Sequence, residues 1–414
     1  MVGWRPLVPG EADQLIDMAV RLGDALAAVP TADWDASLAG GHAGVALFHG
    51  WLSAVTGRAD DTARARHHRD QAIIGLAREP LDASLWGGFP GVAWAVGLVD
   101  GLVDPETADR NEAIDATLVE MLTRPALWPL PHDLVSGVTG AGVYALSRLP
   151  RPSARQALEL VLDRLEEAAA RDGDGAVYWW TPSDQIADEE TAQELPSGYG
   201  DLGVAHGVAG AVGLLGLLVA AGVEPERAGP LLDGAVRWLW KHTVATPDGP
   251  TVPVWTAPDD PVSSSTPARS AWCYGDPGVA AALLLAARAA GRADWARQAT
   301  DLALRSTRRR RKDTGVENGG VCHGSAGLAH LYHRLYRATG EEELAAAARY
   351  WLADTVRRCR SAAAGGEPGW VLGDEEGPHW VGADIVDGVA GIGVVLLAAA
   401  TGLEPAWDRM FLLS

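Results

Sequence analysis

Cys322-His323-Gly324-Ser325-Ala326-Gly327 sets a cysteine and a histidine directly ahead of a G-x-x-G step. Cys273-Tyr274-Gly275-Asp276-Pro277-Gly278 repeats the arrangement, again with cysteine two residues before the first glycine. Seven such steps occur: Gly41/Gly44, Gly88/Gly91, Gly137/Gly140, Gly207/Gly210, Gly275/Gly278, Gly324/Gly327 and Gly388/Gly391. Each is followed by a short, almost wholly apolar segment, such as Val45-Ala46-Leu47-Phe48 or Val394-Val395-Leu396-Leu397. Gly57, Gly101, Gly222, Gly291, Gly340 and Gly402 are expected to stop six of these segments, and Pro150 the third. Glycine just past a helix relieves its left-handed turn, and proline cannot continue a helix. Every repeat therefore predicts a helix of about a dozen residues, roughly 18 Å long. A helix apolar nearly all round is buried on every side.

Longer amphipathic stretches lie between: Glu11–Ala28, Asp61–Arg78, Ala108–Arg124, Ser153–Arg171, Glu226–Thr243, Ala293–Arg310 and Glu341–Arg360. In the fourth, Leu158, Leu162 and Leu165 recur on one face while Glu159, Asp163 and Glu166 turn elsewhere. Seven amphipathic helices alternating with seven buried ones form either an open solenoid or a closed double-layered ring. An open solenoid needs polar capping repeats, yet the last repeat, Val386–Thr401, is as apolar as the middle ones. The expected fold is thus all-α: one α/α-toroid domain over residues 1–414, with seven inner and seven outer helices. In such a ring the residues before each G-x-x-G converge on one cavity. The glycines themselves read as scaffold, letting the chain turn sharply and backbones approach.

Repeat spacing is uneven, and the extra length falls in Asp172–Gly200, Thr246–Ser270 and Gly365–Asp384. These stretches are rich in Pro, Gly, Asp and Trp (Trp179-Trp180, Trp255, Trp370, Trp380), and Val177-Tyr178-Trp179-Trp180 reads as strand. They predict short β-hairpins or loops at the mouth. Their tryptophans either wall a substrate groove or pin the loops to the helices.

The chain has 54 acidic against 34 basic residues, a formal charge of −20, which argues against nucleic acid and anionic membranes as main partners. Residues 1–10 lack a basic and apolar signal pattern. The longest apolar runs fall short of the ~20 residues that span a bilayer. Three cysteines make no disulfide framework, which suits a reducing cytoplasm.

Counted from the first glycine of their repeats, Cys273 and Cys322 stand two residues before it. His206, Tyr274 and His323 stand one before, Asp133 four before and Arg269 six before. All seven come from the consecutive third to sixth repeats. Two thiolates and an imidazole are a soft donor set that suits Zn²⁺, and three protein ligands leave an open, catalytic position. The alternative is two buried free thiols and a capping histidine. His206 is a fourth ligand, an acid/base or a core histidine. Asp133 orients it or caps a helix, and Arg269 stabilises an oxyanion or pairs with an acidic loop. Cys359 and the pair His67-His68 fall on outer helices and are expected to be inert and solvated. Arg308-Arg309-Arg310-Arg311-Lys312 suits the C-terminal end of a helix dipole and is expected to be solvated, with a docking patch as the second reading.

Trp272-Cys273-Tyr274-Gly275-x-Pro277-Gly278, Cys322-His323-Gly324 and Ala205-His206-Gly207 resemble the LanC family, the lanthionine synthetase C-like lanthipeptide cyclases. The likeness runs through all seven steps, and the family fold is an α/α toroid with a central zinc. It implies Cys273, Cys322 and His323 as zinc ligands, His206 and Asp133 as an acid/base pair, Arg269 beside the developing enolate and Tyr274 in the site wall. The implied reaction is intramolecular Michael addition of a peptide cysteine to dehydroalanine or dehydrobutyrine. The implied substrate is a dehydrated precursor peptide, with a lanthipeptide dehydratase and an exporter as associates and peripheral membrane association through them. With no dehydratase or kinase region upstream, the chain is similar to the stand-alone cyclases. Two other readings are addition of a small thiol such as glutathione, and a non-catalytic peptide-binding scaffold around zinc.

Overall fold

The structure is a computed structural model that describes residues 3–78, 80–124, 131–186, 188–363, 371–374, 377–380 and 382–414. Its helices are α1 (Ala12–Leu26), α2 (His42–Thr56), α3 (Ala59–Arg78), α4 (Phe89–Val103), α5 (Glu112–Thr123), α6 (Val138–Ser147), α7 (Pro152–Ala168), α8 (Glu189–Glu194), α9 (Val208–Ala220), α10 (Pro225–Lys241), α11 (Asp276–Ala289), α12 (Ala293–Thr307), α13 (Ser325–Thr339), α14 (Glu342–Ala363) and α15 (Val389–Ala400). All fourteen expected helices are present, and α8 is one more inside an insertion. The chain divides into two compact units. The first joins Met1–Ile114 to Val316–Asp408, and the second joins Asp115–Gly315 to Arg409–Ser414.

Burial follows the sequence pattern. In α9 every residue from Val208 to Gly216 is buried. In α7 the buried residues are Ala154, Ala157, Leu158, Val161, Leu162 and Leu165, a single stripe. Asp163 and Glu166, off that stripe, take the guanidinium of Arg227 from α10. Gly57, Gly222, Gly291 and Gly340 have positive φ, so four of the six expected stops are left-handed turns. Gly101 is a correction: α4 runs through it to Val103. At Gly402 the helix stops but without the left-handed turn, since α15 ends at Ala400 with an extended Thr401. The fourth amphipathic helix also stops short, at Ala168.

Strands are few and short. In the second unit β1 (Ala170–Arg171) pairs with β2 (Val177–Tyr178), β3 (Gly200–Asp201) with β6 (Trp255–Thr256), and β4 (Val244–Thr246) with β5 (Gly249–Thr251), all antiparallel. In the first unit β7 (Val371–Asp374) pairs with β8 (Gly377–Trp380). Each long insertion thus carries a hairpin at or beside it, as expected. Trp179 is buried and donates its indole N–H to the Leu165 carbonyl, so it pins its loop. Trp180 and Trp255 are half-buried and bond within the insertions, to the Ser197 carbonyl and the Asp260 carboxylate. Trp370 and the side chain of Trp380 lie outside the described residues.

What starts each buried helix is the loop before it. These helices have no side-chain cap at their N-termini. Their first-turn N–H groups would be orphans, and the loop's own backbone supplies acceptors. His42 N–H bonds Asp35 O, Phe89 N–H bonds Asp82 O, Val138 N–H bonds Pro131 O, Ser325 N–H bonds Asn318 O and Val389 N–H bonds Gly382 O. Wrapping that tightly leaves no room for Cβ. At the second glycine of the step a Cβ would overlap the carbonyl six residues earlier: Leu38, Leu85, Val204, Trp272, Val321 or Ile385.

Two glycines of α4 separate this role from ordinary helix propensity. Gly91 lies against the Leu85 carbonyl, whereas an added Cβ at exposed Gly101 meets nothing. Gly91→Ala is expected to destabilise by about 2–3 kcal/mol through backbone displacement. Gly101→Ala is expected to stabilise by about 0.5–1 kcal/mol. Urea unfolding midpoints of the two variants check both signs.

Candidate functional site

The same loops are tied to one another by backbone bonds. In the second unit Leu134 and Val135 N–H reach Ala205 O, and Val204 and Ala205 N–H reach Cys273 O. In the first unit Val321 and Cys322 N–H reach Val386 O, Ile385 N–H reaches Ala39 O and Ala39 N–H reaches Trp86 O. The acceptor is always the residue two before the first glycine. That position is occupied by cysteine in the fifth and sixth repeats, so the ladder fixes the backbone of both.

The second unit brings together five of the residues singled out by sequence. Cys273 is buried, and Nη2 of Arg269 stands 3.7 Å from its sulfur. A guanidinium there favours the thiolate over the thiol. His206 Nδ1 stands 2.9 Å from Asp133 Oδ2, and the His206 side chain remains 42% exposed, open enough to meet a substrate. Asp133 stands on His206 but does not cap α6: its other oxygen accepts the Ser136 N–H at 2.6 Å, inside the loop ahead of that helix. Burial disfavours the charged His206 ring, but the Asp133 carboxylate, aided by Asp201 and Cys273, outweighs it and raises its pKa above the ordinary value. Tyr274 donates its hydroxyl to Asp201 at 3.0 Å.

The first unit holds the remaining pair. Cys322 and His323 stand on the turn ahead of α13, and His323 Nδ1 is 3.5 Å from Asp387 Oδ2. The contact is an ion pair when the imidazole is protonated. Two cysteine sulfurs and an imidazole nitrogen, from Cys273 in the second unit and Cys322 and His323 in the first, are donor types compatible with zinc.

Asp201 was not singled out by sequence. It is buried in β3, accepts the Gly203 N–H at 2.7 Å, and burial pushes its pKa up to about 6. Its signal is faint: aspartate or asparagine six residues before the first glycine, at Asp35, Asp82, Asp201 and Asn318. Elsewhere, Cys359 is buried and its thiol is pushed up to about 12 by burial, so it is inert as expected. Two surface expectations are corrected. His67 is exposed, but His68 is buried with Nδ1 2.9 Å from Nδ1 of His42, because α3 turns it onto α2. Arg309 turns inward, and its Nη1 donates to the Ala268 carbonyl at 2.6 Å, holding the segment ahead of Arg269.

Among the described residues no helix is long and apolar enough to cross a membrane. The family model for lanthionine synthetase C-like proteins matches residues 32–412. Nisin biosynthesis protein NisC of Lactococcus lactis subsp. lactis is 21% identical over 233 residues, 53% of this chain and 52% of that relative. The match therefore spans about half the length of that curated relative. The solved structure of nisin cyclase superposes with a TM-score of 0.73 at 16% identity, covering 98% of this chain and 97% of the other. That likeness shows the fold, the all-α toroid class expected from the glycine count.

The Asp133–His206 pair fixes a pH dependence. A histidine whose folded pKa is raised stabilises the fold fully below its unfolded value of about 6.5, and that stability is lost as pH rises through the folded value. In metal-free protein the His206 imidazole is expected to titrate above 6.5, and lower in Asp133→Asn. Imidazole NMR titration, with His206→Asn to assign the signal, reads both.

Proposed function

Because this chain belongs to the lanthionine synthetase C-like family, we propose that it is a zinc-dependent lanthipeptide cyclase. Its substrate is a dehydrated precursor peptide, and its product is a (methyl)lanthionine thioether ring. The observation that carries the reading is the grouping in the second unit of a buried cysteine, a guanidinium on its sulfur, and a carboxylate-bound histidine. A structural thiol needs neither partner.

Cys273, Cys322 and His323 would hold the zinc, and the chemistry zinc supplies there is ionisation of a thiol at neutral pH. The substrate cysteine sulfur then forms a bond to the β-carbon of dehydroalanine or dehydrobutyrine, and the electron pair of the double bond moves to an enolate. Arg269 supplies positive charge where this negative charge builds. Asp133 keeps His206 in its protonated form and fixed in orientation, so that its Nε2–H delivers a proton to Cα. The thiol proton lost and the Cα proton gained balance, and the product is an isomer of the substrate. Asp387 supports His323 from Nδ1.

A dehydratase acts upstream by chemical necessity, since the acceptor alkene must exist first. It and an exporter are the proposed associates, and a free-thiol centre suits a reducing cytoplasm.

Cyclisation leaves mass unchanged, so the assay counts free thiols. The enzyme and zinc are incubated with a dehydrated, cysteine-containing peptide, then N-ethylmaleimide is added and adducts are weighed. The expected result is loss of maleimide-reactive thiol. Cys273→Ala is expected to abolish both zinc binding and ring closure. His206→Asn is expected to keep the metal and lower kcat by about 10²–10³-fold. Retention of both zinc and cyclisation by Cys273→Ala would sink the assignment, and a glutathione adduct on a cysteine-free peptide would favour small-thiol addition.

A further inference from the structure

Asp201 divides the work of its two carboxylate oxygens. Oδ1 accepts the Gly203 N–H at 2.7 Å and closes a turn. The same turn is closed in other repeats by Asp35 on Ser37 N–H (2.8 Å), Asp82 on Ser84 N–H (2.9 Å) and Asn318 on Gly320 N–H (2.9 Å). Asn318 demonstrates that an amide oxygen serves the turn as well as a carboxylate does. Turn formation therefore does not explain a buried negative charge at position 201, which is costly without further partners. The second oxygen supplies the distinction: Oδ2 accepts the Tyr274 hydroxyl at 3.0 Å. The Tyr274 ring is held from the same loop, because an added Cβ on Gly203 would meet that ring at 2.6 Å. The Tyr274 hydroxyl is the donor in this bond, so the shared hydrogen belongs to the phenol.

We propose that Asp201 is a positioning residue: it holds Tyr274 with its hydroxyl hydrogen committed, so that the phenolic oxygen meets the peptide substrate as a hydrogen-bond acceptor. The inference rests on the cyclase reading and refines it. Tyr274, next to Cys273, keeps its lone pairs for a substrate donor. Delivery of the proton at Cα is left to His206, whose Nδ1 is held by Asp133. Two carboxylates thus give two neighbouring side chains opposite hydrogen-bonding polarity.

Asp201→Asn tests this without breaking the turn. Its oxygen stays on Gly203 N–H, as in Asn318, and its NH₂ faces Tyr274. The phenol must then accept from the amide and turn its own hydrogen outward. The zinc-loaded variant is expected to cyclise the dehydrated peptide with kcat lowered about 10- to 100-fold. Asp201→Asn/Tyr274→Phe is expected to be no slower than Tyr274→Phe alone, and Asp82→Asn to match wild type. A wild-type rate in Asp201→Asn, or losses that multiply in the double variant, overturns the proposal. A second readout needs no variant at position 201. With seven tyrosines in the chain, ¹³Cζ-tyrosine NMR resolves Tyr274, assigned by its absence in Tyr274→Phe. A held hydroxyl exchanges slowly and gives a doublet in mixed H₂O/D₂O, whereas one averaged line overturns the proposal. If wild-type enzyme leaves the peptide thiol free, the cyclase reading falls, and the doublet still decides whether the hydroxyl is held.

Discussion

The bond on which the rest depends is the one accepted, in five repeats, by the backbone carbonyl two residues before the first glycine. It ties Trp86 to Ala39 and Ala39 to Ile385 in the first unit, and Ala205 to Cys273 in the second. The loop that makes the bond also lends its carbonyls to the N-terminus of the helix that follows, so one backbone path serves two demands. Both demands are met by main-chain atoms. The side chain at the bonded position is therefore unconstrained by the fold, and it varies freely: Ala39, Trp86, Val135, Ala205, Cys273, Cys322, Val386. Thiols placed there inherit a rigid backbone without weakening the scaffold. That is the condition a metal ligand or a catalytic group needs, since its rotamer and reach are set by neighbours and not by loop motion.

The repeat was legible because glycine is irreplaceable where Cβ would strike the Leu85 or Val321 carbonyl. The helices were legible because apolar runs and stripes differ in period. What stayed hidden depended on tertiary direction. Nothing in Arg308–Lys312 distinguishes Arg309, which turns inward, from Lys312, which does not. His68 reads as surface because α3 is so polar, yet it faces α2. Gly101 looked like a stop because glycine occurs both inside and beyond helices. Asp201 is hidden because it lies six residues before its glycine and its distinguishing partner, Tyr274, is 73 residues later.

The electrostatics of the second unit follow a rule of divided carboxylates. Asp133 gives one oxygen to the Ser136 N–H and the other to His206. Asp201 does the same with Gly203 and Tyr274. A carboxylate fixed at one oxygen by its own loop has no rotational freedom left at the other, so its partner is aimed and not merely attracted. The two outcomes differ because the partners differ. Against Asp133 a partly exposed imidazole is favoured in its protonated form, whereas against Asp201 a half-buried phenol donates the hydrogen it already has.

Repeat five breaks the pattern, and the break identifies what the site requires. Four repeats have the turn-closing Asp35, Asp82, Asp201 or Asn318, and the third and seventh close their loops from Asp133 and Asp384, but the fifth has Arg269 and Ala271 at those two positions. A guanidinium cannot accept the N–H that closes the turn. The backbone responds: the first glycines of the other six repeats have φ between −98° and −123°, but Gly275 has φ +90°, a conformation open to glycine. The lost turn bond is replaced from outside the loop. Ala268 N–H bonds Val252 O, Ser270 N–H bonds Thr314 O, and Arg309 reaches the Ala268 carbonyl. Two otherwise separate features, the long Thr246–Ser270 insertion and the basic end of α12, therefore share one consequence. They steady a loop that gave up its own cap to set a positive charge 3.7 Å from the Cys273 sulfur. A scaffold under selection for stability alone has no reason to make that exchange; a site that uses the Cys273 sulfur as proposed does.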